Sequence, residues 1–253
     1  MSMRQLLRNI TYRTAPRPLL DAYLGLRMKH RARRLVGLRE RGGPEVWIDE
    51  LLGCHFFRPL QRRAELLRLM EVVRGLRPRA VCEIGAAGGG TAFLFAEAAA
   101  ADATVVSVDL AFGASRRRAV RSFARPGQSI HCVEGDSHDA ATLERVRGLL
   151  GGRPLDLLYL DGDHSYDGVA ADFRMYAPLV RAGGLVVFHD VVPDYRTRYG
   201  VETRSYTGGV PQFWRELKGA GARVEEIVED EGQDGFGIGV LRWPGGAAAG
   251  RQW

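Results

Sequence analysis

No stretch of this 253-residue sequence approaches the ~18 consecutive apolar residues that span a bilayer, which argues against a helical integral membrane protein. Cysteine is scarce. Cys54, Cys82 and Cys132 are odd in number and far apart, so they form neither a zinc pattern nor a disulfide framework, and a reducing cytoplasm is the expected home. The opening residues MSMRQLLRNITYR lack the apolar core of a secretion signal, because arginines interrupt them. Two phosphate-binding signatures are also missing. The glycine stretch Gly85-Ala86-Ala87-Gly88-Gly89-Gly90-Thr91 is not G-x-G-x-x-G, and no Lys-Ser/Thr pair follows it as in a P-loop.

The formal charge of +6 is unevenly spread. Residues 1–41 carry about +9, which leaves the rest of the chain mildly acidic. This pattern predicts a basic N-terminal helical extension over 1–56, serving as a lid or an oligomer contact in preference to a surface for anionic lipid or a phosphate-bearing substrate, rather than a protein-wide nucleic-acid surface. Residues 18–41 read as a basic helix, Arg41-Gly42-Gly43-Pro44 as its stop, and about 59–76 as a second helix closed by Pro78. The terminal segment 244–253 reads as a frayed tail.

After Pro78 short apolar runs alternate with helical stretches. The runs RAVCEIG, TVVSVDL, SIHCVEGD, LDLLYLDGD and GGLVVFHD recur about every 25 residues. Such spacing marks a parallel sheet covered on both faces. RVEEIVED and FGIGVLRW then add a closing hairpin with one antiparallel strand. The expected fold is α/β: a doubly wound, mostly parallel seven-stranded sheet over 57–243. Trp214 reads as core packing of the last helix.

Right-handed crossovers place the loop after every strand on one rim, where such sheets bind ligands. The strand ends bring Glu83, Asp109, Asp136, Asp161 and Asp190 there, with Ser137, His164 and His189. At ~4 Å a wrong-signed pair costs several kcal/mol at an effective dielectric near 20, so this rim disfavours phosphates. It suits a cationic cofactor with ribose hydroxyls, a description that S-adenosylmethionine meets. Asp109 is spaced to accept from a ribose diol.

The stretches CEIGAAGGGTAFLFA, VVSVDL, VEGDSHD, LLYLDGDHSYDGVAADFRMYAPLVRAGGLVVFHDV and GGVPQFWREL make the chain resemble class I S-adenosylmethionine-dependent methyltransferases over about 57–242. The branch it resembles includes cephalosporin-hydroxylase-like proteins and macrolide-sugar O-methyltransferases. The resemblance implies that Glu83, Gly85, Gly89 and Thr91 approach the methionine portion of the cofactor. Asp109 would meet the ribose, Asp136 and Ser137 the adenine, and Asp161 would also lie against the cofactor. It further implies His164 as general base, with Asp161, His189 and Asp190 holding a divalent metal, Mg or Mn. Those relatives place two adjacent acidic ligands where this chain has His189-Asp190. An imidazole suits Mn²⁺, Fe²⁺ or Zn²⁺ better than Mg²⁺.

The implied activity is methyl transfer to a hydroxyl of a small molecule, a sugar or a glycosylated natural product. Such a hydroxyl is a poor nucleophile at neutral pH and needs a base or a Lewis acid. Residues 192–209, rich in tyrosine and arginine, are the expected acceptor wall. Three alternatives stay open: a metal-free N-methyltransferase, an RNA methyltransferase drawing on the basic terminus, and a non-catalytic cofactor-binding partner subunit. A homo-oligomer is expected, and no nucleic-acid partner.

Overall fold

The structure, a computed structural model, describes residues 17–245. It begins with three helices, α1 (Arg17–Gly37), α2 (Pro44–Leu52) and α3 (Arg63–Leu76). The alternating part follows: β1 (Ala80–Ile84), α4 (Gly90–Ala98), β2 (Thr104–Asp109), α5 (Ala114–Arg121), β3 (Ser129–Glu134), α6 (Ala140–Leu150), β4 (Leu155–Leu160), α7 (Tyr166–Tyr176) and β5 (Val180–His189). A short α8 (Tyr195–Tyr199), α9 (Val210–Gly219), β6 (Val224–Ile227) and β7 (Ile238–Arg242) complete it. The expected first part of the extension, 1–16, and the tail from 246 onward lie outside the described residues.

The seven strands form one sheet in the order β3-β2-β1-β4-β5-β7-β6. Strands β1 to β5 pair in parallel, and β7 inserts antiparallel between β5 and β6. The central strands are buried on both faces, as their unbroken apolar runs require. One face carries Val81, Val105, Leu157 and Val187 and is covered by α1 to α5; the other carries Cys82, Val106, Leu158 and Val186 and is covered by α6, α7 and α9. Trp214 of α9 is buried in the second face, and its indole N–H donates to Glu226 at 2.5 Å.

The N-terminal helices belong to the first of these layers. Met28, Ala32 and Leu35 of α1 and Trp47, Ile48 and Leu51 of α2 are buried in the same core as Val81 and Phe93. The chain turns over 38–43, in keeping with the stop expected at Arg41-Gly42-Gly43-Pro44, but the sequence expectation had no helix α2 after it. Pro44 opens that helix, at a position where its missing N–H has no partner to lose.

Strand register fixes what reaches the rim. Ile84, Val108, Val133, Leu160 and Phe188 stand in one row across the five parallel strands. The next residue on each strand therefore emerges at the same level, and Asp161 and His189 leave adjacent strands side by side.

Candidate functional site

Glu83 lies one step beneath that level, on the face covered by α1 to α5, and is fully buried. The hydroxyl of Thr91 donates to one of its oxygens, and Ser107 Oγ to the other at 2.8 Å. Burial raises its carboxyl to about 7. The structure thus places Glu83 and Thr91 under the glycine loop, joining β1, β2 and α4, rather than on the open side of that loop.

The glycine loop is shaped by protein contacts. Gly85 has φ +88°, and a Cβ there would fall 1.9 Å from the carbonyl oxygen of Asp161, so only glycine lets the β1 and β4 loops approach this closely. At Gly90 a Cβ would lie 2.0 Å from the Phe57 carbonyl oxygen, because the segment leading into α3 is laid across the loop. Asp109 grips the loop from the neighbouring strand: its carboxylate accepts from Ala87 N at 2.7 Å and Ala111 N at 3.0 Å. On the next loop Asp136 accepts from His138 N at 2.9 Å, and the Ser137 carbonyl accepts from Tyr176 Oη at 2.9 Å.

Beyond this loop the structure brings Asp161, His164 and Asp190 together, with one ligand atom of each within 4.8 Å of the others. His164 Nε2 lies 3.3 Å from Asp161 Oδ1, and its Nδ1 lies 3.1 Å from Asp190 Oδ2. His189 stands behind them, buried, with Nδ1 3.0 Å from Asp161 Oδ1 and 3.5 Å from Asp190 Oδ2. The sequence expectation had His189 as ligand and His164 as base. In the structure His164 completes the triad, and His189 supports both carboxylates from below. Side-chain parity explains this: His189 leaves β5 on the covered face, whereas the chain turns sharply at Asp190, φ +60°, and aims that carboxylate at His164.

The charges in this cluster hold one another. The two carboxylates raise His164 to about 10. Burial alone would push Asp161 up, but His189 and His164 outweigh it and bring Asp161 down to about 2. His189 is likewise held above its ordinary value, because Asp161 overcomes the effect of burial.

Three supports were invisible in sequence. Gln61 Nε2 donates to Asp161 Oδ2 at 2.7 Å across 100 residues of chain. Phe236 N, from the turn before β7, donates to Asp190 Oδ1 at 3.1 Å. Tyr206 places its carbonyl 3.4 Å from His164 Nδ1 and its ring parallel to the imidazole, centroids 6.3 Å apart. An amide, a backbone N–H and a tyrosine in a long loop carry no local signal of such roles.

Residues 82–191 match a family model described as a methyltransferase domain. The chain is 29% identical over 131 residues to a rhamnosyl O-methyltransferase of Mycobacterium tuberculosis, covering 50% of this chain and 51% of that protein. It is also 29% identical over 139 residues to a ribosomal RNA large subunit methyltransferase E of Alkalilimnicola ehrlichii, covering 52% of this chain and 61% of that one. The chain spans between 18% and 61% of the length of the curated relatives it matches. Among solved structures it resembles MycE of the mycinamycin biosynthetic pathway, in complex with Mg, S-adenosylhomocysteine (SAH) and mycinamycin VI. That likeness has 18% identity and a TM-score of 0.55, and covers 80% of this chain and 54% of that one. The fold is the Rossmann-like methyltransferase fold.

Proposed function

We propose that this chain, a methyltransferase by its domain over residues 82–191 and by its fold, moves the methyl group of S-adenosylmethionine to a hydroxyl of a sugar or glycosylated small molecule. The observation that carries the reading is the Asp161–His164–Asp190 triad beside the glycine loop. Methyl transfer is an in-line displacement at the sulfonium carbon, so the acceptor oxygen must sit about 3 Å from that carbon and shed its proton. An amine acceptor would need less of this machinery. A phosphodiester backbone would meet Asp136, Asp161 and Asp190 at the same rim, which disfavours RNA although the relative from Alkalilimnicola ehrlichii is as similar as the rhamnosyl one.

In this reading the cofactor's methionine portion lies over Gly85 and Gly89, with Glu83 and Thr91 bracing the loop below. Asp109 turns its remaining lone pairs to the ribose, and Asp136 and Ser137 border the adenine. Residues 192–209 form the acceptor wall, with Tyr206 nearest to His164. The acidic lining favours the positively charged donor over its neutral product, which helps product leave.

Without a cation His164 is the proposed base; as a ligand it would give up that role to the cation's Lewis acidity. With both nitrogens against carboxylates it is held protonated at neutral pH, so its basicity depends on what else those carboxylates bind. Two carboxylates and an imidazole within reach of one point are a donor set that fits a divalent cation, Mn²⁺, Fe²⁺ or Zn²⁺ better than Mg²⁺. Asp161, Asp190 and His164 would hold it, and bound there it would act as a Lewis acid on the acceptor hydroxyl. Gln61, His189 and Phe236 N keep the two carboxylates aimed.

Calorimetric titration with SAH, with and without Mn²⁺, tests the reading together with methyl transfer from labelled S-adenosylmethionine to a panel of methyl glycosides. Binding of SAH, with transfer abolished in Asp161→Asn and Asp190→Asn, is the expected result. Absence of binding in both titrations would overturn it.

A further inference from the structure

Six large apolar side chains are more than half exposed among the described residues, and all six lie at the rim. Leu110 (74% exposed) follows Asp109 at the end of β2. Leu60 (67%) precedes Gln61, whose amide reaches Asp161. Leu26 (68%) is next to Gly25, which packs against Ser115 in the first turn of α5. Tyr199, Val201 and Tyr206 stand on the loop between β5 and α9. Apolar side chains scattered singly over a surface need no explanation, but these gather at one end of the molecule.

Five cations near them stand outside ion pairs among the described residues. Lys29, Arg58, Arg118, Arg196 and Arg204 make no ion pair among the described residues; of the exposed carboxylates in the same region, Glu134 is held by Arg117 and Glu229 by Arg62, while Asp21, Glu202, Asp230 and Glu231 make no ion pair among the described residues. Charge is uneven across the rim. Asp136, Asp139, Asp163 and Asp167 are exposed on the side leading into α6 and α7, and the leucines and unpaired cations lie on the side leading into α1, α3 and α5.

We propose that this side of the rim docks on an anionic lipid surface, with Leu26, Leu60 and Leu110 entering the headgroup layer and Lys29, Arg58 and Arg118 meeting lipid phosphates. Separate apolar prongs set among unpaired cations fit a fluid interface, which closes around each prong. A protein partner would call for one continuous apolar patch. RNA would use the cations and leave the leucines in water. The acidic side of the rim sets the tilt, because lipid phosphates repel it. The inference does not depend on which acceptor the site takes.

Co-sedimentation with phosphatidylcholine vesicles, pure or containing about 30 mol% phosphatidylglycerol, tests it. The full chain is expected to pellet with the anionic vesicles at low salt, to be released by high salt, and to stay in solution with the neutral ones. Arg58→Glu with Arg118→Glu, and separately Leu60→Ser with Leu110→Ser, should each weaken partition by about tenfold or more. Leu149→Ser, at an exposed position on α6, should change nothing. Thermal melts by circular dichroism confirm that the exposed replacements leave the fold intact.

Three results would overturn the proposal. The first is a chain that stays in solution with anionic vesicles. The second is loss of binding in the arginine variant alone, with equally tight binding to poly(U), which points to a soluble polyanion. The third is a dimer, seen by light scattering, that dissolves in the leucine variant while vesicles pellet nothing.

Discussion

At the residue scale, three ionisable groups tie stability to pH: His164 and Glu83 lose it as pH rises, and Asp161 as pH falls. The folded pKa of His164, about 10, lies above its ordinary value, so its stabilisation is fully present below about 6.5 and drains away as pH rises through 10. Chelator-treated protein should lose thermal stability over that window, and His164→Gln should flatten the loss. At the acid end, Asp161 is held down to about 2, so its contribution is full above about 4 and is lost as pH falls from there through 2. Glu83 runs the other way, because its raised pKa means that unfolding releases a proton the buried form keeps. Its ionisation costs stability between about 4.5 and 7, so Glu83→Gln should melt higher than the natural chain at pH 8 and gain nothing at pH 4. Scanning calorimetry across pH reads both.

At the element scale, the glycine loop and the segment before α3 are one unit. Gly90→Ala sets a methyl group against the Phe57 carbonyl oxygen, a backbone atom that cannot swing aside. It should cost about 1–3 kcal/mol in urea unfolding, the usual size of an overpacking penalty. Gly75→Ala, on α3 with open space around it, should be neutral or slightly stabilising. The same elements show what the sequence could tell. Strands β1 to β5 were legible because burial on both faces writes an unbroken apolar run, and the closing hairpin because EGQDG separates two such runs. Helix α2 was not, since Gly-Gly-Pro ends one helix as readily as it starts another. The acidic residues of the site could be found from strand ends. The position of His164 between the two carboxylates, with His189 behind them, could not, because it depends on the register of β4 with β5 and on a left-handed backbone at Asp190.

At the scale of the whole molecule, the basic N-terminal segment is structural as well as charged. Met28, Ala32 and Leu35 of α1 are buried in the core under the sheet, and Arg39 bonds Glu97 of α4 at 2.5 Å. Removing residues 1–41 uncovers that face and should cost at least about 3 kcal/mol, counting the transfer of Met28 and Leu35 alone. A detachable lid would leave the urea midpoint unchanged, so that midpoint separates the two roles.

The placement of β7 between β5 and β6 bears on how the protein is made. Asp190 is fixed by Phe236 N, and β5 gains its second neighbour only from residues 238–242. A nascent chain can therefore assemble most of the parallel sheet while His189 and Asp190 still hang from an open edge. A chain that stops before Phe236 should pair β1 to β5 and leave Asp190 without its backbone anchor.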